Sequence, residues 1–388
     1  MKRHILIFGA GKVGLTIAHL LHHSGDYTVT LADKSAAQLE RASALLPVHT
    51  LELDASDSEG LKTALEGVSC VVSAGPYFVN TALAKAALAA GASYFDLTED
   101  RETTAQIRAL AAHARAGQVF MPQCGLAPGF IGILAADLAR RFDEVVDIKM
   151  RVGALPRYPS NMLLYNLTWS TDGIINEYIN PCEAVVNGET VELQALEGLE
   201  SFSLDGVTYE AFNTSGGLGT LCETLEGKVR NLDYKSVRYP GHQYLTRFLV
   251  RDLKLSEQRD VLKSLLERTV AITPQDVVLT FCTVTGYRNG QLTQLSDARK
   301  IYDQSVAGTH WSAIQLTTAA SLCAILDLHA AGHLPAQGFV RQEDVILEHF
   351  LNNRFGRVYD PQRIGALELG HEVLPIGAPS SAGVMVTG

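Results

Sequence analysis

Three glycines at Gly9, Gly11 and Gly14 follow the apolar run His4–Phe8 and lead directly into the helix-forming run Leu15–His23. This G-x-G-x-x-G spacing suits a dinucleotide: Gly9 for a tight turn, Gly11 for close approach of a pyrophosphate, and Gly14 for helix-to-strand packing. Lys12 and Val13 open the helix, whose N-terminus attracts the phosphate charge. Asp33 ends the next apolar run, placed to accept both ribose hydroxyls and to repel a 2′-phosphate, which favours NAD over NADP. Lys34 is the rival feature, because it can pair with that phosphate. Asp54 and Ala55 after the third run are placed to border the adenine, and Ala74 and Gly75 after the fourth to run toward the nicotinamide. The plainer reading of these two loops is a tight strand exit.

A second set of residues points to a substrate. Asp96, Glu99 and Asp100 follow one strand-like run, and Cys124, Gly125 and the stretch to Phe130 follow the next, so their carboxylates suit an ammonium group. Asn213 to Gly217, with Thr214 and Ser215, offers hydroxyls and amides for an α-carboxylate. Without the lysine of a phosphate loop, it does not suit a nucleotide. Arg238 can clamp a carboxylate, as can Arg157, and His242 can exchange a proton near neutral pH. Tyr77 directly follows the Ala74-Gly75-Pro76 loop. Trp169, Asp172, Glu177 and Tyr178 recur at roughly helical spacing. Each has a bland counterpart: Asp96 as a helix cap, Trp169 and Tyr178 as core aromatics, Cys124 as a small buried hydrophobe. His19, His22 and His23 decorate the first helix, and no HxxxH or mixed Cys/His cluster suggests a metal.

These residues need a frame. Strands are expected at His4–Phe8, Thr28–Ala32, Val48–Leu53, Cys70–Ser73, Tyr94–Leu97 and Val119–Pro122, alternating with helices such as Thr81–Ala90, which stops at Gly91. This alternation predicts an α/β fold, a doubly wound Rossmann domain over 1–125. From about Pro128 the texture becomes Val145–Val152, Ala184–Val186, Phe202–Leu204 and Asp276–Val284, with turn signals at Val186-Asn187-Gly188 and Arg288-Asn289-Gly290. It predicts a second α+β domain on a mostly antiparallel sheet over 126–308. A helical return over 309–365 is expected to pack on the Rossmann domain, and the tail 366–388 to be loose.

The chain has 388 residues, 47% of them hydrophobic, and a net charge of -10. That length fits two domains rather than one core. The charge and the lack of a basic stripe exclude a nucleic-acid partner. Six scattered cysteines without a CxxC pair read as reduced thiols, hence a cytoplasmic protein. No uninterrupted apolar stretch approaches the roughly 18 residues of a membrane span.

The segments GAGKVG, AGPYFVNTALAKAAL, YFDLTED, GLAPGF, TWSTDGIINEYINP, YEAFNTSGGLGTLCET and RYPGH resemble the saccharopine dehydrogenase superfamily and, within it, the lysine 6-dehydrogenases. They run from the N-terminus to about residue 340. The resemblance implies a nicotinamide cofactor, a Rossmann domain, a second domain carrying substrate contacts and the oligomer interface, and a homodimer or larger homo-oligomer. It implies NAD-dependent oxidative deamination of the side-chain amine of lysine, or of a close diamino acid, to a semialdehyde that cyclises. The alternative is a saccharopine-type or other opine reductase joining an amine and a keto acid. One departure stands out: Gln123-Cys124 occupies the place where the lysine dehydrogenases carry an aspartate, and Cys124 resembles a cysteine near the nicotinamide in saccharopine reductases. Asp96, Tyr77, Cys124 and His242 are the catalytic candidates. Glu99, Trp169, Tyr178, Thr214, Ser215 and Arg238 are the substrate candidates. A nucleotide-sensing module without turnover is the competing class, but it would not need these acid, tyrosine and histidine elements.

Overall fold

A computed structural model describes residues 2–360. The N-terminal strands are β1 (Arg3–Phe8), β2 (Tyr27–Asp33), β3 (His49–Glu52), β4 (Cys70–Ser73), β5 (Ser93–Asp96) and β6 (Val119–Met121). All are parallel, in the order β6-β5-β4-β1-β2-β3, with a short strand Gly338–Phe339 added beside β6. The order reverses between β1 and β4, so loops from both halves meet at one edge, where doubly wound sheets bind ligands. Every strand expected in this first domain is present, with ends shifted by at most one residue. The central strands are apolar on both faces, Ile5, Leu6 and Ile7 being fully buried, because helices cover both sides. Helix Tyr77–Ala90 begins earlier than expected, immediately after Pro76, and ends at Gly91 with φ 78°. Proline fits there because the preceding turn needs no amide donor.

The second sheet is built from β7 (Glu144–Pro156), β8 (Cys182–Val186), β9 (Glu189–Leu193), β10 (Glu200–Leu204), β11 (Val207–Asn213), β12 (Asn231–Arg238), β13 (Asp276–Arg288) and β14 (Gln291–Tyr302). Its order is β10-β11-β12-β7-β13-β14, with the β8–β9 hairpin paired to β12. All pairings are antiparallel except β7 with β12. Asn187-Gly188 and Asn289-Gly290 have positive φ at both positions (52° and 88°, 51° and 75°), the geometry of tight hairpin turns. Asp205-Gly206 turns β10 into β11 by the same device, with φ of 51° and 76°. One face of the sheet packs on helix Phe130–Ala139 and on helix Ala313–Ala330. The latter starts at a Ser312/Gln315 capping box and lies against helix Lys12–Ser24. By length and composition it could cross a membrane, yet 67% of it is buried inside the protein, as befits a core helix. The expected tail, 366–388, lies outside the described residues.

Candidate active site

Asp33 fastens the glycine loop to β2: its carboxylate accepts the Ala10 amide at 2.7 Å and the Ser35 amide at 2.8 Å. Gly9 has φ 108°, and a Cβ there would come within 2.7 Å of the Ala74 carbonyl, so the exits of β1 and β4 abut. A Cβ on Gly14 would lie 1.8 Å from the Gly9 oxygen, whereas Gly11 meets nothing within 4 Å. The loop is thus tightly packed behind and open in front. The first amides of helix Lys12–Ser24 have no intrahelical acceptor and no capping side chain. These residues fit a dinucleotide pyrophosphate. Gly75 continues this rim. Asp54 is exposed and accepts the Ser56 amide and hydroxyl, while Ala55 is buried beneath it.

A cavity of about 420 Å³ lies between the β4–β6 exits and the second domain. Tyr77, Glu99 and Gln123 line it from the first domain, and Thr214 and Ser215 from the second. Ser215 Oγ donates to the Asn176 carbonyl at 3.1 Å, and the Thr214 and Ser236 hydroxyls meet at 2.8 Å. Glu99 packs so closely on Gly216 that a Cβ there would lie 3.0 Å from its Oε2. Burial, reinforced by the negative charge of Glu177, pushes the Glu99 carboxyl up to about 8, against a hydrogen bond from Asn176. Glu177 itself is pushed up to about 7 by burial, opposed by Arg238. Such a carboxyl pair can hold or release a proton in the range where amines and imines exchange theirs.

Several expected residues lie elsewhere. Asp96 is fully buried: Oδ1 accepts the amides of Thr98 and Gln123 (both 3.0 Å), and Oδ2 accepts Asn80 Nδ2 (3.1 Å) and the Tyr94 hydroxyl (2.9 Å). It does not line the cavity, and acts as a positioning residue for the loops that do. Cys124 is buried and its thiol donates to the Met121 carbonyl at 3.1 Å. Burial raises that thiol well above its ordinary value, so it is not a nucleophile. His242 is buried, with Nδ1 donating to the Leu163 carbonyl (2.8 Å) and Nε2 accepting from the Tyr178 hydroxyl (2.9 Å). Burial and the Arg238 charge lower it to about 3, which keeps it neutral and removes it as the base. Arg238 donates to the Tyr178 hydroxyl at 2.9 Å and pairs with Glu177 at 3.5 Å, so both substrate candidates are spent on an internal chain.

Trp169 packs against Gly173 in an apolar cluster outside the cavity. Gly125 is buried, and a Cβ on Gly129 would fall 1.8 Å from its carbonyl oxygen, so it shapes the loop rather than facing a cofactor. Arg157 pairs with Asp303 at 3.2 Å, and Asp172 with Lys263 at 2.6 Å, both away from the cavity. His242→Ala is expected to cost about 1–3 kcal/mol of stability by orphaning the buried Tyr178 hydroxyl. Thermal melting checks this, and the pH–rate profile should keep its shape near neutrality. Loss of a neutral-pH limb would return the imidazole to the reaction.

Asn176, Tyr234, Arg101 and Arg259 line the cavity without having been expected there. They are ordinary polar residues in helix or strand contexts, and only the packing of two domains brings them together. Gln123 stands out in the sequence only as a departure, yet it lines the cavity and has a left-handed φ of 64°.

Residues 5–121 match the family model described as the saccharopine dehydrogenase NADP binding domain, and residues 125–357 that of the saccharopine dehydrogenase C-terminal domain. The chain is 24% identical over 199 residues to the mitochondrial alpha-aminoadipic semialdehyde synthase of Mus musculus, covering 50% of this chain and 21% of that protein. It is 22% identical over 204 residues to the Schizosaccharomyces pombe saccharopine dehydrogenase [NADP(+), L-glutamate-forming], covering 51% and 45%. The chain therefore spans less than half the length of these curated relatives. Its fold is shared with the apo saccharopine dehydrogenase (L-Glu forming) of Saccharomyces cerevisiae, at a TM-score of 0.73 and 15% identity over 90% of this chain and 97% of that one.

Proposed function

We propose that this chain, which belongs to the saccharopine dehydrogenase family, is a nicotinamide-dependent dehydrogenase that interconverts a CH–NH amine of an amino acid with its imine. The amine is a secondary one of saccharopine type. The observation that carries this reading is Glu99, a largely buried carboxyl held up to about 8 on the wall of the cavity between the two domains. A bound nicotinamide supplies or accepts the hydride. Glu99 accepts the proton that the amine must lose on oxidation and returns it on reduction, while Asp96 holds the backbone that carries Glu99. The activities named for the relatives favour the secondary amine; Arg101 and Arg259 stand on the cavity wall, where Arg101 pairs with Glu183 and Glu192 and Arg259 donates to Asn176 Oδ1.

Oxidative deamination of lysine at its side-chain amine is the second reading. The acidic excess of the cavity favours it, with Glu99, Asp100, Glu183 and Glu192 against two arginines. Absorbance of the reduced nucleotide distinguishes the two. Turnover with saccharopine releasing glutamate supports the first reading, and turnover with lysine releasing ammonia supports the second. No turnover with either substrate would remove both.

The cofactor is NAD on this reading, because Asp33 ends β2, the position from which a carboxylate accepts ribose hydroxyls and repels a 2′-phosphate, although the matching family model is described by NADP. Asp33→Ser is expected to shift the ratio of kcat/KM values toward NADP by about 10- to 100-fold, the effect of removing a like charge at close range. A wild-type enzyme that already prefers NADP would contradict the assignment.

A further inference from the structure

We propose that the inner wall of the cavity is a carboxylate subsite, in which the Gln123 carboxamide and the backbone amides of Gly216, Gly217, Leu218 and Gly219 receive one carboxylate of the substrate. The inference rests on the proposed amino-acid substrate and names how one end of it is held.

Two independent observations meet here. Among the described residues, the amides of Gly216 to Gly219 donate to no protein acceptor, although the flanking Ser215 amide bonds the Glu177 carbonyl at 3.2 Å and the Leu221 amide bonds the Leu218 carbonyl at 3.1 Å. All four residues line the cavity. Gly216 and Gly219 have φ of 91° and 59°, and left-handed residues within a turn allow successive amides to face one concavity.

Gln123 supplies the second observation. It is 2% exposed, and its amide is held by Asp96. Its Oε1 accepts from Gln342 Nε2 at 2.8 Å, which leaves its NH2 group, without a partner among the described residues, on a side chain that lines the cavity. A non-glycine residue in left-handed backbone at a strand exit is strained unless its surroundings impose the geometry, as they do here.

Gly219 ties the two parts together. A Cβ on it would lie 2.4 Å from Gln342 Oε1 and 3.1 Å from Gln123 Oε1, so the loop reaches the glutamines only because this residue has no side chain. Buried donors without acceptors are costly, and a carboxylate accepts from several at once. None of these five residues carries a positive charge. Glu99 beside Gly216 disfavours a doubly charged phosphate more than a singly charged carboxylate.

The test uses the full chain saturated with reduced nucleotide. Calorimetry gives the Kd of L-glutamate, and steady-state kinetics give KM and kcat for saccharopine. Gln123→Leu and Gly219→Ala are each expected to raise both constants about 10- to 100-fold, from the loss of hydrogen bonds to a charged group. Gln123→Glu should raise them further by repulsion, while kcat changes little. An unchanged nucleotide Kd establishes that each variant is folded. L-Glutamate that binds wild type and variants equally, or that fails to bind wild type at all, overturns the subsite. If wild type binds L-glutamate and the variants do not, yet no CH–NH substrate turns over, the subsite stands and the proposed reaction fails.

Discussion

Glu99→Gln is expected to cut turnover about 10²- to 10⁴-fold, the usual contribution of a positioned acid–base group, while nucleotide affinity stays unchanged. Glutamine keeps the size of the side chain and can still accept from Asn176, so it removes the exchangeable proton and little else. The pH dependence sharpens the test. Glu99 must be ionised to take a proton from the amine, so oxidative turnover should rise as pH passes about 8, and reductive turnover, which needs the proton, should fall across the same range. In Glu99→Gln that inflection should vanish, leaving only the shallow rise set by the free amine, near 10.4 for an alkylammonium. Glu177 and Asp100 are the acids that raise Glu99 by their charge, with Asn176 opposing them, and Tyr234 lies close enough for the Glu99 charge to act on it. Glu177→Gln should therefore move the inflection to lower pH. An inflection near 8 that survives in Glu99→Gln would place the proton acceptor elsewhere.

The nucleotide half of this site is legible in the sequence because its signals are local. Gly9, Gly11, Gly14 and Asp33 act through backbone conformation and strand ends, which spacing along the chain dictates directly. The strand pattern of the first domain is legible for a related reason, since strands buried on both faces are continuous apolar runs. The second sheet was harder to read. In β12, Asp233 and Lys235 belong to a network with Arg151 of β7 and Glu200 of β10, with Arg151 to Asp233 at 2.9 Å and Lys235 to Glu200 at 2.9 Å. Asp233 and Lys235 alternate with the buried Leu232 and Tyr234, so β12 keeps the alternation of a strand, but the partners of these charges lie on other strands, which spacing along the chain does not reveal. The substrate half was legible as loops and misleading as side chains. Glu99, Tyr77, Thr214 and Ser215 meet in the cavity. Arg238, Tyr178 and His242 have the types expected of a recognition site but bond one another inside the second domain. Residue type reports what a side chain can do, and only packing decides whether a ligand or a neighbour receives it.

Asp96 yields the other large effect, although it never touches the cavity. Asp96→Asn is expected to lower kcat/KM about 10- to 100-fold and to cost about 1–3 kcal/mol of stability, the range for a buried polar group left facing a like group. Both oxygens of Asp96 accept two donors, a pattern only a carboxylate can satisfy. Either way round, an asparagine turns an NH2 group toward two donors. The backbone amides of Thr98 and Gln123 cannot reverse, so the NH2 would face Asn80 and Tyr94. Asn80 in turn already accepts from Ser73 Oγ at 2.7 Å, and can flip only by breaking that bond. The donors that lose their acceptor are then Asn80 and the Tyr94 hydroxyl, and the shift this forces on residue 96 is passed to the Thr98 and Gln123 amides it holds, so proton exchange and the carboxylate subsite should weaken together. This sets Asp96→Asn apart from Glu99→Gln, which spares ligand binding, and from Gln123→Leu, which spares kcat. Thermal melting, calorimetry with L-glutamate and steady-state kinetics on the three variants would separate these effects. An Asp96→Asn protein with wild-type melting and turnover would mean that the two loops hold their geometry without this carboxylate.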